Sequence, residues 1–299
     1  MWILLALAAY ITFSAATITD KYLLAKPLPD ARVYAFYTGI LGLAAFIFAP
    51  FGFLIPHPGI IFLGIFAGIL FIIALFLFFT ALKTGEVSRV GIALGGLTPL
   101  FTLAFTYIGS GELPARGEFF AFILLFAGSL IVAFDQYERA LHNAKIIGLV
   151  ALSSALFGLY FVFAKFLFGV QPFMSAFLWI KLGGAIFALA FLFSPQVRTI
   201  ILAHKKVPPK KTGGIFIAKN AAGGVAALLL HLAIATARIS EVAIVNALQG
   251  VQFALVFLGA VFLSKKFPGV VKEKIDIGVA VAKSVGAGLI VLGIVMLAL

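Results

Sequence analysis

The residues of this sequence that can do chemistry are ionisable and amide side chains set inside long apolar runs. Lys181 stands about nine residues into one such run, roughly 13 Å along a helix. A charge at that depth in hydrocarbon is costly and by default marks a site or a paired charge. No acidic residue stands at similar depth: Asp20, Asp30, Glu86, Glu112, Glu118, Asp135, Glu138, Glu241, Glu273 and Asp276 fall at run ends or in connections. A lysine so placed, facing water, could hold a carboxylate or a phosphate. The plainer expectation is that its stem reaches back to the nearer headgroups. His231 titrates near neutral pH and so offers proton coupling, against the ordinary role of a hydrogen bond to a neighbouring helix. Tyr10, Ser14, Thr17 and Lys21 recur at helical spacing and share one face. Asn246, Gln249 and Gln252 are spaced to line one side of a helix, as a cavity wall or as interhelical hydrogen-bond partners. Tyr37 and Trp179 lie near run ends, where aromatic residues contact substrate or anchor a helix at the interface. The candidate substrate-binding set is therefore Lys181, Tyr10, Ser14, Lys21, Tyr37, Trp179, His231, Asn246, Gln249 and Gln252.

Other chemistries lack their residues. The chain has no cysteine, which excludes disulfides, thiolate metal sites and cysteine nucleophiles. His57, His142, His204 and His231 are scattered without metal-ligand spacing. There are no paired carboxylates, no nucleophile with a base nearby in sequence, and no G-x-x-x-x-G-K-[ST] motif for ATP hydrolysis. No cofactor is expected, and the chain does not read as an enzyme.

The elements that must carry these residues follow from composition. Hydrophobic residues make up 64% of the chain and charged residues 11%, more apolar surface than a soluble domain can hide. The net charge of +12 could indicate nucleic acid in a soluble protein. Here the basic residues stand in loops beside apolar runs, as topology signals and contacts to anionic lipid. No nucleic-acid partner is expected. Apolar runs at 2–22, 33–55, 59–82, 90–109, 117–134, 146–168, 172–194, 213–236, 241–263 and 281–299 each approach the roughly 20 residues that cross a bilayer. The first run lacks a basic leader and reads as a retained span. Pro99 interrupts the backbone bonding of the fourth run and is expected to kink it. Glu86 and Glu241 fall at expected helix starts, where a negative charge favours the dipole.

The pattern occurs twice. An offset of 144 lays Lys165 over Lys21 and Lys181 over Tyr37; an offset of 155 lays Glu241-Val242 over Glu86-Val87 and Gly250 over Gly95. An odd number of spans per repeat forces the halves to face opposite ways, an arrangement recurrent in small-molecule transporters. The expected fold is an all-α integral membrane protein of about ten transmembrane helices, as two inverted five-helix repeats over 1–140 and 141–299. In this layout most basic residues, among them Lys26, Arg32, Lys83, Arg139, Lys206 and Lys266, share one side. The positive-inside rule then puts both termini outside the cytoplasm.

The chain resembles the EamA-type transporters of the drug/metabolite transporter superfamily. The likeness covers nearly all of it and rests on Lys21 near the end of the first span, Ala81-Leu82-Lys83-Thr84-Gly85-Glu86-Val87-Ser88, Leu97-Thr98-Pro99-Leu100-Phe101, Gly111-Glu112 and Ala127-Gly128. The resemblance implies a ten-helix bundle moving small metabolites through a cavity between the halves. This chain departs from it with Lys266-Phe267 in place of a second Gly-Glu pair and Ala254 in place of a second proline. The family commonly keeps both termini inside, opposite to the charge bias. The expected function is secondary transport of a small polar metabolite by alternating access, in the plasma membrane, with a small-molecule substrate, membrane lipids and protons as partners. A lipid or lipid-linked sugar flippase and a membrane enzyme acting on lipid headgroups are the competing readings.

Overall fold

The computed structural model describes the backbone of residues 1–23, 30–84, 87–137, 144–202, 210–266 and 277–299. Side chains are described for 1–17, 30–82, 93–132, 144–201, 221–259, 278 and 281–299. Every regular element among them is helical, as a bilayer requires of a backbone that must satisfy its own hydrogen bonds. In chain order these are α1 (Trp2–Leu23), α2 (Ala31–Leu41), α3 (Pro58–Thr84), α4 (Val87–Ser110), α5 (Arg116–Tyr137), α6 (Ala144–Val170), α7 (Phe173–Ala190), α8 (Pro195–Leu202), α9 (Lys210–Thr236), α10 (Val242–Ala247), α11 (Gln249–Lys266) and α12 (Ile277–Ala298). Short 3₁₀ segments extend α2 over Gly42–Phe51, extend α7 over Phe191–Phe193 and precede α10 at Ile239–Glu241.

Among the described residues, seven stretches are long and apolar enough to cross a membrane: Ala31–Phe51, Pro58–Leu82, Ala93–Ser110, Ala144–Val170, Phe173–Phe193, Ile239–Gly259 and Val281–Ala298. Trp2–Thr17 and Ala221–Thr236 are shorter apolar helices. The chain is an all-α, multi-pass membrane protein.

Element ends follow local chemistry. The Asp30 carboxylate accepts the Arg32 backbone N–H at 2.8 Å and opens α2. The Arg32 guanidinium pairs with the same carboxylate at 2.8 Å and reaches Ser194 Oγ and Gln196 Oε1, each at 3.0 Å, on the turn between α7 and α8. Gly111 closes α4 at φ +71°, a conformation open to glycine at little cost. The helix runs on through Pro99. A break falls instead at Leu248, between α10 and α11.

Lipid tails are as apolar as the side chains, so small residues decide which helices meet. A Cβ on Gly68 of α3 would stand 2.5 Å from Gly184 N and 2.9 Å from Gly183 C of α7. A Cβ on Gly128 of α5 would stand 2.6 Å from Gly286 O of α12, and one on Gly286 would stand 2.8 Å from Gly128 O. A Cβ on Gly158 of α6 would stand 2.9 Å from Thr102 N of α4. α1 packs along α9, α6 along α3, α4 along α6 and α5 along α12. Two apolar cores result. One gathers Ala9, Leu125, Ile234, Val245 and Ile290 from α1, α5, α9, α10 and α12; the other gathers Leu70, Phe157, Tyr160 and Ile180 from α3, α6 and α7. Phe161 and Phe168 of α6 pack against both, so the seam between the cores runs past α6.

Candidate functional site

A closed circuit of side chains lies on that seam. Lys181 projects from α7 about 12 Å after the helix start at Phe173. Its Nζ lies 4.8 Å from the ring centroid of Phe177 and 5.5 Å from that of Phe71 on α3. These are cation–π distances. Phe71 meets Tyr160 of α6 at 5.1 Å between ring centroids, and Phe177 meets His231 of α9 at the same separation. Tyr160 and His231 share a short hydrogen bond, which closes the loop. Four helices thus contribute to one cluster.

The hydrogen bonds fix the roles. His231 Nδ1 lies 2.6 Å from Ala227 O. A carbonyl only accepts, so Nδ1 carries a proton and donates it. Nε2 then takes the Tyr160 hydroxyl proton. Both nitrogens are used in holding the cluster, and Tyr160 and His231 are buried at 0% and 3% exposure. Lys181 differs from them: it retains accessible surface at this depth. Among the described residues it has no carboxylate or carbonyl partner, only the two ring faces.

The other candidates go to separate places. Asn246 on α10 is buried and donates to Thr102 Oγ1 of α4 at 3.0 Å, while its Oδ1 has no protein partner. Gln252 on α11 donates to Thr17 Oγ1 of α1 at 3.2 Å. Gln249 faces Gly95 of α4. Asn246 and Gln249 thus face α4, and Gln252 joins α11 to α1. Tyr10 is buried in the first core beside Phe13, and Ser14 bonds back to Ile11 O at 2.6 Å. Trp179 donates Nε1 to Leu54 O at 3.0 Å and lies against Phe53, and the Leu54 N–H reaches Ser175 Oγ at 3.3 Å. It anchors the α2–α3 connection to α7. Tyr37 is 46% exposed beside Phe36. The Lys21 side chain lies outside the described residues. Of the described sequence candidates, Lys181 and His231 share the circuit, joined through Phe177.

Away from the circuit, charges gather at one end of the bundle. Lys165 donates to Ala235 O at 2.9 Å, near the end of α9, where a cation favours the dipole. Arg238 pairs with Glu241 at 3.0 Å and with Glu118 at the start of α5. These carboxylates hold Arg238 further toward the protonated form. Glu241 also accepts the Arg238 backbone N–H, so it caps the turn as its place at a helix start predicts.

Tyr160, Phe71 and Phe177 carry no signal in the sequence, where they are lost among 34 phenylalanines and other aromatic residues. Lys283 was also not singled out: it is buried on α12, over the Phe257 ring at 4.0 Å.

No family model matches the chain, and no curated protein matches it. The fold does recur: 17 solved chains match it. One, described as "Crystal structure of protein", overlays with a TM-score of 0.67 at 18% identity, covering 99% of this chain and 95% of that chain. At that identity the likeness is one of fold.

Proposed function

We propose that this protein is a secondary transporter in the plasma membrane. It moves a small anionic metabolite by alternating access between two inverted five-helix repeats, 1–140 and 141–299, in the manner of the EamA-type members of the drug/metabolite transporter superfamily. Lys181 carries the proposal: a lysine deep in an apolar span, of intermediate exposure and with ring faces as its partners among the described residues, is suited to hold an anion.

The packing supports the repeat. α1 lies on α9 as α6 lies on α3, and α11 lies on α1 as α4 lies on α6. Gly128 and Gly286 face each other's carbonyls, as symmetry partners would. Other contacts depart from the pattern, and the α3–α7 contact does so most sharply. α3 and α7 are locked through Gly68 and Gly183, whereas their counterparts α9 and α2 do not pack together. Gly223, which an offset of 155 equates with Gly68, has nothing within 4 Å of its would-be Cβ. A transporter caught with one arm closed and its twin open has this asymmetry.

The test is uptake into proteoliposomes of a panel of carboxylates, phosphates, amino acids, nucleosides and organic cations, with wild type beside Lys181→Met. Uptake of an anionic solute that drops at least tenfold in the variant is expected. An unchanged substrate affinity in Lys181→Met refutes the anchoring role. Lipid scrambling with no solute uptake replaces the proposal with a flippase.

A further inference from the structure

The circuit around Lys181 also selects among anions. We infer that the solute is a monocarboxylate on an aromatic or similarly apolar body, bearing neither an ammonium group nor a second negative charge. This rests on the transport reading and narrows it.

The charge count comes first. Among the described residues Lys181 is the one ammonium in the circuit. Lys165 is committed to Ala235 O near the end of α9, and Lys283 is buried over Phe257 on α12. One cation in a low-dielectric setting compensates one anionic charge. A phosphate dianion or a dicarboxylate would bring a second charge with no partner.

The hydrogen-bond count comes next. An amino acid needs acceptors for its ammonium, and a sugar needs partners for each hydroxyl. The Tyr160 hydroxyl and both nitrogens of His231 are bound to one another and to Ala227. No carboxylate faces the circuit among the described residues. A site that cannot pair a buried polar group rejects the ligand carrying it.

The surroundings supply what remains. Phe71 and Phe177 flank Nζ, and Phe157 beside Phe71 and Phe168 beside His231 extend the ring surface. These faces hold the ammonium. When a carboxylate takes its place on Nζ, the same faces are left to cover an apolar or aromatic body.

The experiment compares four ligands of similar shape: benzoate, phenylacetate, phenylalanine and phenyl phosphate. Binding is read by thermal shift of the purified protein in detergent, and uptake into proteoliposomes is counted above the Lys181→Met background. Benzoate or phenylacetate should bind at least tenfold more tightly than phenylalanine and phenyl phosphate, and should be taken up. Phe71→Leu, with an unchanged thermal midpoint when unliganded, should weaken monocarboxylate binding severalfold. Equal or tighter binding of phenylalanine or phenyl phosphate, with Lys181-dependent uptake, overturns this inference and leaves transport standing. Uptake of none of the four, with a broader panel also inactive, overturns the transport reading and this inference with it.

Discussion

Gly68 and Gly223 stand at equivalent places in the proposed repeat, yet the structure gives them different surroundings, and this makes a quantitative test. A methyl group on Gly68 would enter the backbone of α7, 2.5 Å from Gly184 N and 2.9 Å from Gly183 C. Backbone atoms in a helix cannot step aside singly, so α3 and α7 must separate along their contact. Overpacking of this kind costs about 3 kcal/mol at the upper end of its usual range. Replacing a helical glycine by alanine returns about 0.5–1 kcal/mol of conformational entropy. Gly68→Ala should therefore destabilise by about 2 kcal/mol. Gly223→Ala meets nothing within 4 Å among the described residues and should stabilise by about 0.5–1 kcal/mol. The predicted gap between the variants is about 3 kcal/mol, measurable by reversible unfolding in mixed micelles. A gap under about 1 kcal/mol would refute the reasoning, since the α3–α7 contact would then be no tighter than open space. Transport adds a second reading. If α9 closes onto α2 in the alternate state, Gly223→Ala should be the more stable protein and the slower transporter.

Two further outcomes follow from the hydrogen bonds. Tyr160→Phe removes the proton donor to a buried imidazole nitrogen and should cost about 1–3 kcal/mol; a second substitution, His231→Phe, should recover part of that loss in a double-mutant cycle of unfolding free energies. Arg238→Ala should cost about 1 kcal/mol or less, because the side chain is 60% exposed and Glu241 keeps its bond to the backbone N–H of residue 238. That small loss should shrink further when unfolding is repeated in 1 M salt, where the Debye length is about 3 Å.

The helical, membrane-spanning character was legible because lipid leaves a chain few options, and 64% apolar composition leaves little other solvent. The sixth apolar run, expected at 146–168, lies within α6, Ala144–Val170. The ninth, expected as one span over 241–263, is divided into a 3₁₀ turn, α10 and α11, because backbone breaks inside an apolar run leave no mark on hydropathy. Pro99 is the visible breaker, yet α4 continues through it. Lys181 and His231 stood out because polar side chains are rare in such runs. Phe71, Phe177 and Tyr160 did not, because an apolar residue in an apolar helix is informative only once its neighbours in space are known. The amides were legible as polar residues on one span; which helices they meet, α4 for Asn246 and Gln249 and α1 for Gln252, depends on packing that spacing does not encode.

The 3₁₀ extension of α2 has a mechanical consequence. Gly42–Phe51 is a ten-residue run, well beyond the three or four residues usual for this form. At about 2.0 Å per residue it reaches about 20 Å, where an α-helix of equal length would reach about 15 Å. Its counterpart after α7 is three residues, Phe191–Phe193. The second span is thus an extended spring whose rewinding would shorten it by about 5 Å, close to one helical turn. Ser175 and Trp179 pin its far end at Leu54. Any change in its length must therefore break those bonds or pull on α7, the helix that carries Lys181.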